Sequence, residues 1–189
     1  MNHAPWDTDN YVLPGVPDAF QRLWTPHREA YQVKGQDQVT DEDNCPFCAA
    51  PKREDEQSLI VHRGRTCYVL LNLYPYNPGH LLVCPYRHVP DLTDLGTEEA
   101  AEFIALTQDA MRALRAQSHP AGFNLGINQG KAGGAGIAAH LHQHVIPRWS
   151  GDTNFLPIIA QTKSLSATLG EIRRLVAQAW PAATGGAED

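Results

Sequence analysis

His140, His142 and His144 alternate with Leu141, Gln143 and Val145 in the run HLHQHVIPRW. Side chains of a β-strand leave it on opposite faces with a period of two, so this pattern predicts a strand carrying three imidazoles on one side. Imidazole titrates near neutrality and serves as nucleophile, general acid or base, or metal ligand, which makes such a row a chemical site rather than a chance enrichment of a surface strand. The three rings cannot converge on a single ion, because residues at i, i+2 and i+4 of a straight strand span roughly 13 Å.

The row is approached through a glycine-rich loop, Gly130 to Gly136 (GKAGGAG). Glycines let a backbone come close to a bulky anion and aim its N–H groups at phosphate oxygens, and Gly134 and Gly136 are the candidate nucleotide contacts in this loop. Ahead of the loop, Gly122–Gln129 sets Phe123, Leu125 and Ile127 against Asn124, Gly126 and Asn128, the pattern of a strand with one polar face, and Asn128 is a candidate contact there. Cys67–Leu73 (CYVLLNL) and Gly79–Pro85 (GHLLVCP) read as two buried strands. The turn Tyr74-Pro75-Tyr76-Asn77-Pro78 joins them into an antiparallel hairpin. Thr97 to Gln117 reads as an amphipathic helix with Thr97 as N-cap and Phe103, Leu106, Ala110 and Leu114 on its apolar side. A closing helix is expected over Ser164–Trp180. The charged stretch 50–58 (APKREDEQS) reads as a loop without function.

The chain has 189 residues, 42% of them apolar, enough for one domain with a core. Its organisation is expected to be an irregular extension over 1–44 with one short helix around Phe20, Leu23, Trp24 and Tyr31, a catalytic body over 45–160, and a helix and disordered tail over 161–189 belonging to the same domain. A net charge of −6 argues against nucleic acid and anionic membranes as partners. No apolar run reaches the length of a membrane span and the N-terminus has no secretory pattern, so a cytoplasmic setting is expected. Four cysteines in a reducing compartment, two of them spaced as Cys45-Pro46-Phe47-Cys48, favour metal or redox chemistry over structural disulfides. Cys67 and Cys84 read as buried thiols.

Taken together, the HxHxHxx strand, its glycine-rich approach, the hairpin LNLYPYNPGHLLVCP and the continuation PRWSGD closely resemble the histidine-triad superfamily of nucleotide hydrolases and transferases. The likeness covers roughly Cys45 to Asp152 and is strongest to the fragile-histidine-triad branch and to actinobacterial diadenosine tetraphosphate phosphorylases. It implies an α+β fold, with helices packed on an antiparallel sheet of about five strands, and a homodimer or higher homo-oligomer. It further implies that His142 is the nucleophile, that His144 donates to phosphate oxygens, and that His140 orients the row or binds metal. Asn72 matches a ribose-contacting asparagine, His80 a second hairpin histidine, and Gln129 a phosphate-side glutamine; for the last two the alternative is that they satisfy hydrogen bonds of turns. Family members usually carry a serine or threonine before the triad. Here Ala135-Gly136-Ile137 has no hydroxyl, which shifts anion binding onto backbone amides. Trp149 either walls the site or packs in the core.

A Cys, Cys, His, His set recurs in bacterial relatives and in galactose-1-phosphate uridylyltransferases. By that likeness Cys45, Cys48, His88 and His140 would hold a structural zinc, against the alternative of a reduced loop without metal. No organic cofactor is called for. The expected activity is cleavage of a small-molecule substrate, a dinucleoside polyphosphate such as diadenosine tetraphosphate, by phosphate or water through a nucleotidyl-His142 intermediate. The competing readings are a nucleoside phosphoramidate hydrolase of the small histidine-triad type and a nucleotide-binding protein without turnover.

Overall fold

The computed structural model describes residues 41–130, 132–152 and 167–182. The expected helix near Phe20–Tyr31, the start of the closing helix at Ser164 and the C-terminal tail lie outside them. Five strands form one antiparallel sheet: β1 Ile60–Arg63, β2 Cys67–Leu71, β3 Leu81–Pro85, β4 Gly122–Ile127 and β5 Gln143–Arg148, in the spatial order β1-β2-β3-β5-β4. The hairpin read from the sequence is present, with Cys67 opposite Pro85 and Leu71 opposite Leu81. Both its strands are buried along their whole length because the sheet is covered on both faces.

Alternation sorts that apolar run into two layers. Cys67, Val69, Leu71, Leu81, Val83 and Val145 face the core built with helix α3 (Thr97–Ser118), which contributes Phe103, Leu106, Ala110, Ala113 and Leu114. Phe103 is 1% exposed, and its replacement by Ala would cost about 3–5 kcal/mol. Gly96, not Thr97, is the N-cap of α3: the Glu99 carboxylate accepts from the Gly96 N–H at 2.9 Å, and Thr97 is the first helical residue. Helix α4 (Leu169–Gln178), capped by Thr168, adds Ile172 and Val176 to the same layer. Trp180 beyond its end stacks on His62 with ring centres 4.7 Å apart.

On the opposite face Tyr68, Leu70, Leu82 and Cys84 pack against Cys45, Phe47, Cys48 and Ala50. These last four come from the short helix α1 (Pro46–Ala49) and the residues on either side of it, including the 3-10 turn Ala50–Lys52. The Tyr68 hydroxyl, buried in this layer, donates to the Phe47 carbonyl at 2.7 Å and pins α1 to the sheet. Helix α2 (Asp55–Ser58) comes next and leads into β1, a four-residue strand that the apolar pattern did not single out.

Two glycines are required by geometry. Gly79 closes the hairpin turn at φ +79°, where a side chain would be strained and its Cβ would meet Leu114 at 3.0 Å. At Gly133 a Cβ would lie 2.3 Å from the Gln129 carbonyl oxygen, so the loop before the triad folds back on itself only with glycine there. The PRWSGD segment is held to the hairpin by Asn77, whose amide donates to the Pro147 carbonyl (3.0 Å) and to Asp152 (2.8 Å), while Arg148 pairs with the same carboxylate. No helix among the described residues is long and apolar enough to cross a membrane.

Candidate active site

The histidine row begins before its strand. Ladder pairing of β5 starts with Gln143 opposite Val83, and ahead of it the Leu141 N–H donates to the Val89 carbonyl at 2.7 Å. Only His144 of the three therefore lies within β5, a correction to the expected strand across the whole run. The rings nevertheless succeed one another along the face covered by α1. Those of His142 and His144 are 5.2 Å apart, and Phe47 lies 4.9 Å from His142 and 5.5 Å from His140. All three histidines are buried.

Hydrogen bonds to groups of fixed polarity set each ring's protons. His142 Nδ1 lies 2.8 Å from the His140 carbonyl oxygen, which can only accept, so Nδ1 carries the proton and Nε2 keeps its lone pair. Burial pushes the His142 pKa down, which keeps the ring neutral. The Tyr76 N–H donates to His80 Nδ1 at 3.1 Å, so the proton of His80 sits on Nε2, 2.9 Å from His144 Nδ1. His144 Nδ1 then accepts, and His144 bears its own proton on Nε2. His80 is completely buried and stacked under Tyr76 at 5.0 Å. Asn72 adjoins it, with its amide nitrogen 3.3 Å from His80 Nδ1 and its oxygen accepting from the Tyr74 N–H.

His140 turns the other way. Its Nε2 donates to the Pro85 carbonyl at 3.0 Å, which directs the Nδ1 lone pair to Cys45 Sγ and Cys48 Sγ, both 3.4 Å distant. His88 Nδ1 is 3.2 Å from Cys48 Sγ, and the four ligand atoms lie within 4.8 Å of one another. A tetrahedral ion with metal–sulfur bonds of about 2.3 Å and metal–nitrogen bonds of about 2.0 Å separates sulfur and nitrogen by roughly 3.5 Å, so these spacings fit one. The carbonyl on the far side of His140 fixes the ligating tautomer. Burial and the neighbouring Cys45 thiol push the Cys48 thiol up to about 12, a cost that a bound cation would reverse. Burial likewise takes His140 down to about 4.

A cavity of about 660 Å³ opens onto His142 and His144. Its floor is Leu70 and Leu82 of the sheet, and Phe47, Ala50 and Leu59 wall one side. Asn72, Asn128, Gly134 and Gly136, candidate nucleotide contacts from the sequence, line it together with Ile137. Gln129 and Trp149 do not. The Gln129 amide donates to Asp91 and accepts from the Leu92 N–H, tying the loop after β4 to the turn before α3. Trp149 donates its indole N–H to the Ser118 carbonyl (3.1 Å) at the end of α3, the packing alternative of the two considered for it.

Arg53, Gln57 and Ser58 also line the cavity, so the stretch 50–58 that reads as a functionless loop forms one of its walls. Nothing local in that stretch signals this; β1 pairs with β2 (Ile60 opposite Leu70) and thereby carries α2 to the site.

A family model, the HIT domain, matches residues 53–151. The chain is 47% identical over 170 residues to AP-4-A phosphorylase of Mycobacterium tuberculosis, covering 88% of this chain and 87% of that protein. It is 36% identical over 92 residues to bis(5'-adenosyl)-triphosphatase of Dictyostelium discoideum, covering 49% of this chain and 61% of the relative. Among solved structures, a zinc-bound histidine triad family protein from Mycobacterium smegmatis superimposes with a TM-score of 0.59 at 30% identity, over 74% of this chain and 94% of the other. Sheet order, triad and these matches agree: the chain belongs to the HIT domain family.

Proposed function

We propose that this protein cleaves diadenosine tetraphosphate by transferring an adenylyl group, through His142, to inorganic phosphate. The observation that carries the reading is the His142 tautomer: Nδ1 is committed to the His140 carbonyl, and the nucleophilic Nε2 belongs to a ring that lines the cavity. The likeness over most of the chain to a protein named AP-4-A phosphorylase supports phosphate as acceptor.

In the first step His142 Nε2 attacks the α-phosphorus and the bond to the bridging oxygen breaks, releasing ATP. Because Nδ1 retains its proton, the adenylylated ring is cationic and a good leaving group, with its charge turned to the His140 carbonyl. His144, presenting Nε2–H, donates to oxygens that gain charge in the transition state, and backbone N–H groups about Gly134 and Gly136 share that load. In the second step a phosphate oxygen attacks the same phosphorus, the phosphorus–nitrogen bond breaks, and ADP leaves with His142 restored. Asn72, which lines the cavity, would contact the ribose, and Phe47, Leu70 and Leu82 would offer apolar surface to the base.

Zinc suits the two thiolates and two imidazoles of the cluster, where it would supply positive charge and a rigid anchor. Held there, His140 fixes the carbonyl against which His142 is aligned. A cytoplasmic setting fits four buried cysteines that form no disulfide. Strand β4 lies at the sheet edge, where a second copy would add its own sheet to form the homodimer.

Incubation with diadenosine tetraphosphate, with and without phosphate, tests the activity. Equal ADP and ATP with phosphate is the expected result. AMP and ATP in the presence of phosphate would reject phosphorolysis, and an intact dinucleotide would reject the function.

A further inference from the structure

The wall formed by residues 50–58 separates into groups that build it and groups that are left to the cavity. Arg63 holds Asp55 at 2.8 Å and the carbonyls of Pro51 and Arg53 at 2.9 and 3.0 Å. Arg173, reaching from α4, holds Glu56 at 2.9 Å and the Ile60 carbonyl at 2.7 Å. The Ser58 hydroxyl donates to the Ala50 carbonyl at 2.8 Å. Helix α2, only four residues long, is thus braced by its neighbours in addition to its own few hydrogen bonds.

Among the described residues no hydrogen bond or ion pair engages the side chains of Arg53 and Gln57, and both line the cavity beside Ser58, Leu59 and Leu71. The Leu71 N–H donates to the Leu59 carbonyl at 2.9 Å, so this wall adjoins Asn72 directly. A nucleoside whose ribose meets Asn72 and whose phosphorus meets His142 has its base among Phe47, Leu70, Leu82 and this wall. The apolar groups there hold any base equally well. Discrimination requires polar groups at the base edge, and the wall offers two polar side chains with no partner among the described residues.

They differ in what they can read. A guanidinium only donates, which suits an edge with two acceptors, such as O6 and N7 of guanine. A carboxamide donates and accepts, which matches the amino group of adenine together with an adjacent ring nitrogen. We propose that Gln57 reads the adenine edge in this cavity and sets the base preference of the site. The inference rests on the adenylyl-transfer reading, and it extends it from chemistry at phosphorus to recognition of the nucleoside.

The test is calorimetric binding of AMP and GMP to the full chain, as wild type, Gln57→Leu and Gln57→Glu. Neither ligand is cleaved by the proposed reaction. Wild type is expected to prefer AMP, and Gln57→Leu, which keeps the side-chain bulk but neither hydrogen bond, should lower the AMP-over-GMP ratio by about tenfold or more. Gln57→Glu, which can still accept but no longer donate, should weaken AMP binding relative to wild type. An unchanged ratio in Gln57→Leu, or a wild-type preference for GMP, would overturn the assignment while leaving the catalytic reading intact. Failure of wild type to bind either nucleotide would overturn both.

Discussion

His80 Nε2 stands 2.9 Å from His144 Nδ1, and this contact between two buried rings determines which nitrogen of His144 bears a proton. The chain of bonds starts from a group that cannot reverse its polarity, the Tyr76 N–H, and ends at His144 Nε2. In the proposed mechanism His80 would therefore be a positioning residue, acting on phosphate only through its neighbour. Glutamine can replace it in kind, since Oε1 can accept from Tyr76 and Nε2 can donate to His144. His80→Gln should retain activity within about tenfold, whereas His80→Phe, which fills the space without the bonds, should lose about 10–100-fold, mainly in kcat. Equal losses in the two variants would reduce His80 to a packing residue.

His142→Ala removes the attacking atom and little else. Turnover should fall by at least about 1,000-fold, with binding of AMP and the folded state preserved. Rapid quench of wild type in alkali should leave AMP attached to His142. Retention of a tenth of wild-type activity in a pure sample would sink the nucleophile assignment.

Metal content is measurable independently of activity. Protein purified without chelators should hold about one zinc per chain, and Cys48→Ser should lower both metal content and Tm. His142→Ala should keep its zinc, because the proposed ligand is the histidine two residues earlier. A wild-type preparation without zinc would return His140 to a purely orienting role.

Acid stability should be set by carboxylates far from the triad. At Glu102 burial raises the pKa, but four donors outweigh it: the Thr66 hydroxyl and the N–H groups of Arg65, Thr66 and Cys67 hold the group below its ordinary 4.5. Glu99 is taken down to about 2, first by the Arg87 side chain and then by the Gly96 N–H. A depressed carboxyl contributes stability that is present above its unfolded pKa and is lost as pH falls through the folded one. Tm should thus hold near neutrality, begin to fall below about pH 5 and keep falling toward about pH 2. In Glu102→Gln, Tm should be lower at pH 7 and less sensitive between pH 5 and 3. A parallel pH profile for the variant would show that Glu102 is not among the groups responsible.

Periodicity was sufficient for what depends on near neighbours in the chain. The β2–β3 hairpin and the apolar side of α3 come from alternation or helical spacing, because those rules are set by backbone geometry alone, whereas only His144 of the three histidines lies in the strand that alternation predicts. Resemblance of the triad and its flanks brought the fold and pointed to His142 as the proposed nucleophile and to the cluster of four candidate metal ligands, which spans 95 positions from Cys45 to His140. Three features needed the folded molecule. Trp149 and Gln129 lie near the motif in sequence, yet they find partners at the end of α3 and at Asp91, since the chain changes direction where a strand ends. The proton order of His80 and His144 depends on a backbone N–H at Tyr76 that composition does not reveal. And Arg53 and Gln57, in a charged stretch with no periodic signal, become a wall of the cavity only because β1 pairs with β2 and Arg63 and Arg173 brace α2 from outside. The sequence by itself determined the histidine row and the family; which side chains wall the cavity beside it was decided by long-range strand pairing, because a four-residue helix has no geometry of its own to impose.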